Sequence, residues 1–140
     1  MDFSVVIKEA WPMLLEGLRL TIMISVLSLL AGMFIGLVSC LMGLSKIWPL
    51  KAISAVYVWV IRGTSMIVQA FIVYYGIPIV VQQFNPDFII SEFAAGMITL
   101  SLNAGAYLSE IFRSGIQAVD SGQIEASRSL GLPAGKTMLL

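Results

Sequence analysis

The chain has 140 residues, 59% of them hydrophobic and 11% charged, with eight basic and eight acidic side chains and a mean hydropathy of +0.95. Soluble domains carry about 25% charged residues, so the composition indicates an integral membrane protein, and the zero net charge leaves no nucleic-acid footprint. With no histidine and one cysteine, zinc sites, histidine-based triads and disulfide frameworks are excluded, and neither an enzyme nor a metal centre is expected.

Residues 1–19 mix Asp2, Lys8, Glu9, Glu16 and Arg19 with Val5, Ile7, Trp11 and Leu14. This pattern predicts an amphipathic lead-in near the membrane interface, with Trp11 as a headgroup-level anchor. The start Met1-Asp2-Phe3 lacks a basic segment, so a cleaved signal peptide is not expected. Residues 20–45 carry no charge; as a helix they would reach about 39 Å, more than the ~30 Å hydrocarbon core, which predicts a tilted first span. Within it Gly32 and Gly36 have the spacing of a close-packing pair, better suited to another helix in general than to dimerisation in particular. Cys40, in the same apolar run, is expected to be a small buried hydrophobe.

Lys46, Pro49 and Lys51 form a basic connection, and a second span is predicted over residues 55–81, with Gly76 and Pro78 marking its end or a bend. Arg62-Gly63-Thr64 admits two readings: an interfacial anchor beside a glycine that allows close packing, or a buried arginine holding two helices in register or lining a cytoplasmic gate. Asn85-Pro86-Asp87 is a turn. A third span over 90–110 is rich in small and polar residues, among them Ala94, Gly96, Thr99, Ser101, Asn103 and Gly105. Such a helix anchors weakly in lipid and is expected to pack inside, near a pathway. Asn103, Tyr107 and Glu110 share one face at i, i+4 and i+7. Glu110 either faces a polar route or pairs with Arg113 one turn on.

Charge asymmetry predicts orientation. Lys46, Lys51 and Arg62 lie in the first connection, Asp87 and Glu92 in the second, and Arg113, Arg128 and Lys136 after the third span. The positive-inside rule places the N-terminus outside and residues 113–136 in the cytoplasm. Within the cytoplasmic segment, 114–136, Asp120 followed by Gln123 has the form of a capping box, and Gly131 with Pro133 reads as a helix stop. The intervening helix, about ten residues long, is too short to persist in water without a partner. The run Gly131 to Thr137 imitates a phosphate-binding loop, but it has three residues between its glycines instead of four, no preceding strand, and Pro133 in place of a donor. Nucleotide binding by this chain is not expected.

These motifs together resemble the integral-membrane permease subunits of bacterial ABC importers, particularly the polar amino-acid branch with its glutamine- and histidine-type permeases. Gly122, Gln123, Glu125, Ala126, Ser127 and Gly131 are similar to the family's ATPase-coupling motif. Arg62, Gly63, Thr64 and Gln69 resemble a second signature; Ala106, Tyr107, Glu110 and Arg113 a third; Glu16, Gly17 and Thr21 a fourth. Ser65 and Ser127 depart from the pattern, standing where proline and a second alanine are usual. The resemblance implies an all-α integral membrane fold: three transmembrane helices plus a cytoplasmic coupling helix, forming the first part of a five-helix permease. It implies ABC ATPase subunits, which bind the ATP and magnesium, an extracytoplasmic solute-binding protein, and a second permease subunit, identical or related, in the bacterial inner membrane. Arg62, Gly63, Thr64, Gln69, Asn103, Tyr107 and Glu110 would line the translocation pathway or its gate. Family members usually have two further spans beyond the coupling helix, whereas this sequence stops at Leu140 with Met138-Leu139-Leu140 still apolar. A truncated form or a fragment is therefore expected. The competing reading is a remnant or accessory membrane protein without transport activity.

Overall fold

A computed structural model describes residues 3–137. The side chains of residues 3–9, including Lys8 and Glu9 of the expected lead-in, and the apolar ending Met138–Leu140 lie outside the described residues. Within them the chain is helical, with no strand. Helix α1 runs without interruption from Phe3 to Leu44. The lead-in therefore continues the axis of the first span and is not a separate helix lying across it. Residues Ala10–Leu44 are long and apolar enough to cross a bilayer.

The second predicted span, 55–81, is not one straight rod. Helix α2 (Trp48–Gly63) stops at Thr64 and Ser65, whose backbones are extended, and the chain then turns by 108° into a second arm, Met66–Val81. That arm consists of α3 (Met66–Phe71), a π-helical turn (Ile72–Gly76) and α4 (Ile77–Val81). In the π turn Ile77 N–H donates to the Ile72 carbonyl, five residues back. Pro78 next to it brings no donor, and a widened turn accommodates the missing bond. The sequence pointed to Gly76 and Pro78 for the bend; the large change of direction falls instead at Thr64-Ser65, where the backbone leaves helical geometry.

Helix α5 (Glu92–Gln117) extends the third predicted span by two turns beyond residue 110. Ser91 caps it by accepting a bond from Ala94 N–H, and Glu92 favours the positive end of the helix dipole. After a short turn come α6 (Ser121–Ser129) and the single turn α7 (Ala134–Thr137).

The packing is inverted relative to a soluble core. Apart from Val73 and Pro78, the buried side chains are small or polar: Ser28, Ser39, Cys40, Ser54, Gln69, Ala95, Thr99, Ser101, Ala106 and Ser109. The large apolar ones, such as Phe34, Ile67 and Phe71, are exposed. Small residues let helices approach closely where lipid removes the hydrophobic drive between them. The most extensive interface joins α1 to α5. A Cβ on Gly32 would stand 2.9 Å from Ala104 Cβ, and one on Gly36 2.9 Å from the Gly105 carbonyl oxygen. The glycine pair is thus used within the chain. Cys40, 1% exposed, is a buried free thiol, in keeping with its expected role.

Candidate functional site

Three arrangements contain the residues singled out from the sequence. The first is a cleft of about 520 Å³ between the ends of α1, α2 and α5, lined by Lys51, Trp59, Arg62, Gly63, Tyr107, Glu110 and Arg113, with Ser39, Cys40 and Ser54 at its wall. Glu110 Oε2 accepts from Arg113 Nη2 at 2.7 Å and lies 3.9 Å from Arg62 Nη1. The Arg62 guanidinium also sits 5.2 Å from the centre of the Tyr107 ring, within reach of a cation–π attraction. The expected Glu110–Arg113 pair is present, and Arg62 is a partly exposed arginine, not a buried one. Glu110 pairs along its own helix and across to α2, and Arg62, with its side chain 43% exposed, still joins two helices. The bond and charge of Glu110 raise the Arg113 pKa further above its already high value, so that guanidinium stays cationic. Exposed pairs of this kind contribute under about 1 kcal/mol, so their effect is mainly orientation.

The second arrangement spans the break after α2. Gln69 is buried, 9% exposed, while Thr64 beside it is exposed. Gln69 Nε2 donates to the Ile61 carbonyl at 2.7 Å and to Thr64 Oγ1 at 2.9 Å, and lies 3.3 Å from the Thr64 carbonyl. Its Oε1 accepts from Asn103 Nδ2 at 3.4 Å. The α5 face carrying Asn103, Tyr107 and Glu110 therefore meets the bent pair along its length: Asn103 at Gln69, and Tyr107 and Glu110 at Arg62. Gly63 lines the cleft and has no atom within 4 Å of where a Cβ would be.

The third is α6, which carries Gly122, Gln123, Glu125, Ala126 and Ser127. It contains no buried residue, and its neighbour among the helices is α7. Asp120 caps it, with Oδ1 accepting from Gly122 N–H at 2.7 Å, one residue earlier than the Gln123 N–H of a capping box. At its other end Gly131 adopts φ +80°. Leu132 N–H bonds the Ser127 carbonyl and Gly131 N–H the Arg128 carbonyl, which is the Schellman termination. The capped helix stands clear of the spans, and α6 and the cleft are separate features.

Sequence reasoning missed several inter-helix joints, among them the Ser28 hydroxyl donating to the Met97 carbonyl of α5 at 3.4 Å. Ser39 and Ser54 hydroxyls lie 2.9 Å apart, Ser54 Oγ donates to the Ser39 carbonyl at 2.7 Å, and Ser109 Oγ donates to Ser39 Oγ at 3.2 Å. This cluster ties α1, α2 and α5 together. Tyr57 hydroxyl donates to the Leu102 carbonyl at 2.7 Å. The one signal read on α1 was the Gly32–Gly36 pair, which leaves out Ser39; Ser54 and Tyr57, each alone on α2, carried no such signal.

A helical chain with a small, polar interior, a large apolar exterior and a helix long and apolar enough to cross a bilayer has the character of a membrane protein. Residues 35–140 match the model of the family described as binding-protein-dependent transport system inner membrane component, and the chain belongs to that family. It is 43% identical to the arginine transport system permease protein ArtQ of Bacillus subtilis, over 99% of this chain and 60% of that protein. It is 39% identical to the L-cystine transport system permease protein TcyB of the same organism, over 97% of this chain and 56% of that protein. With the glutamine transport system permease protein GlnP of Escherichia coli the identity is 36%, over 94% and 58%. A crystal structure of an amino acid ABC transporter with histidines superposes with a TM-score of 0.84 at 40% identity, covering 99% of this chain and 61% of that one. The chain thus spans somewhat over half the length of the relatives it matches.

Proposed function

We propose that this chain forms part of the permease subunit of an ABC importer that carries polar amino acids across the bacterial inner membrane, driven by ATP hydrolysis in a partner subunit. The observation that carries this reading is α6. A nine-residue helix, capped at both ends and with no buried residue, is marginal alone and gains stability by docking. It occurs in a chain whose relatives are named as amino-acid transport permeases. In this reading Glu125 meets a basic residue of the ATPase, Ala126 and Ser127 allow close approach, and Gly131 turns the chain back toward the membrane. ATP itself, with its magnesium, stays in the ATPase. A second permease subunit completes the pathway and an extracytoplasmic binding protein delivers the solute. Closure of the ATPases would push α6 and rock the spans between outward- and inward-open states.

The charge pattern supports an orientation with α6 in the cytoplasm and three crossings before it. The 108° turn gives that pattern a geometric basis: Lys51 and Arg62 lie on α2, and the arm Met66–Val81 is uncharged. The arm together with α1 and α5 supplies the crossings, while α2 keeps its cations at the cytoplasmic side. Arg62, Tyr107 and Glu110 then stand at the cytoplasmic mouth, with Asn103 deeper.

The test is a Gly131→Arg variant, co-expressed with an amino-acid ABC ATPase and a binding protein. It is expected to insert normally, to lose co-purification of the ATPase, and to lose uptake of labelled arginine or glutamine. Uptake and ATPase retention at wild-type levels in the variant would overturn the coupling role of α6. Absence of both from the wild-type chain would favour a remnant without transport activity.

A further inference from the structure

The break after α2 frees backbone groups that one side chain recovers. In an unbroken helix the Ile61 carbonyl would accept from Ser65 N–H, but Ser65 and Thr64 are extended, which leaves that carbonyl an orphan of the helix end. Gln69 serves both sides of the turn. Its backbone N–H donates to the Ser65 carbonyl at 3.1 Å, and its side-chain nitrogen donates to the Ile61 carbonyl and to Thr64 Oγ1. The groups facing that nitrogen are two carbonyls and a hydroxyl, so the amide can present only its NH₂ end to the turn. Both of its N–H donors are then committed, and Oε1 faces Asn103 on α5. Between the two latched positions, Ile61 and Thr64, lies Arg62, the residue set over Tyr107 and beside Glu110.

We infer that the Gln69 side chain is a latch for the bend. It holds α2 and the Met66–Val81 arm at their mutual angle, positions Arg62 against α5, and does not bind solute. Asn103, with part of its amide uncommitted to the latch, remains the member of that pair able to face a pathway. The latch refines the proposed site by removing Gln69 from solute contact, yet its geometry stands independently of transport.

The experiment places spin labels at Ile53 and Ile79, both exposed, in the 140-residue chain with Cys40→Ala, in lipid nanodiscs without ATPase or solute. The wild-type latch is expected to give one narrow distance distribution. Gln69→Glu, which replaces the donors with oxygens facing the Ile61 carbonyl, should shift or broaden it. Thr64→Val should do likewise, while Thr64→Ser, which keeps the hydroxyl acceptor, should restore the wild-type distribution. Thr64 is exposed, so this pair decides the matter even where Gln69→Glu fails to fold. An unchanged distribution in Thr64→Val, or in a folded Gln69→Glu, would overturn the latch and leave the transport reading standing. In the assembled transporter, Gln69→Glu should lower maximal uptake at constant half-saturation. A raised half-saturation with maximal uptake retained would assign Gln69 to the solute instead.

Discussion

At the scale of single residues, glycines of one helix do different work. Gly36 lies where a Cβ would meet the Gly105 carbonyl oxygen and Leu108 Cβ at 2.9 Å each, whereas Gly17 has nothing within 4 Å. Backbone cannot yield as a flexible side chain can, so Gly36→Ala should cost about 1–3 kcal/mol through forced separation of α1 and α5. Gly17→Ala should be neutral or stabilising by up to about 1 kcal/mol, from helix propensity alone. Thermal unfolding of the two variants in the same detergent checks the contrast; equal melting temperatures would remove the close-packing account. The Gly32–Gly36 spacing was readable, but its partner was not. The contact depends on Gly105 and Ala104 arriving from a helix about 70 residues away, and no local pattern encodes that distance. The same holds for Ser54, which has no stripe of its own and becomes important only because Ser39 and Ser109 meet it.

At the scale of elements, α6 was the most legible part of the chain. Its start at Asp120 and its stop at Gly131 rest on local chemistry: an oxygen that caps a free N–H, and a residue that tolerates φ +80°. Space around Gly131 is open, so the demand there is conformational. Gly131→Ala should cost about 1–2 kcal/mol from the left-handed backbone, and Gly131→Asn should cost less. Hydrogen exchange at Leu130 to Leu132 is the measurement, with faster exchange expected in the alanine variant than in the asparagine one. The broken second helix shows the opposite case. Arg62 to Ser65 contains no proline, and Gly63 alone does not end a helix, so apolar periodicity continued through it and suggested a single span. The break is maintained by Gln69, four residues further on, and by Asn103 from α5. The sharper local signal, Gly76 and Pro78, produced a π turn within a continuing arm.

At the scale of the whole molecule, the inverted packing and the charge distribution bear on orientation. With α2 and α6 carrying the cations, a cysteine placed at Asp87 in a Cys40→Ala background should react with an impermeant thiol reagent in intact cells. One placed at Arg128 should react only after permeabilisation. Reversed labelling would invert the topology and place α6 beyond the reach of a cytoplasmic ATPase. The sequence by itself determined the membrane class, the helical content, the limits of α6 and the resemblance to a transport permease, because composition, capping and short motifs act locally or in sum. Tertiary structure decided which small residues face which helix, that the described part of the lead-in, residues 3–19, belongs to α1, and where the second helix turns. It also decided that Arg62, Tyr107 and Glu110 share a cleft while Gln69 is committed to the bend. Those outcomes depend on hydrogen bonds and close approaches between segments remote in the chain, where geometry selects among partners that the local sequence leaves equivalent.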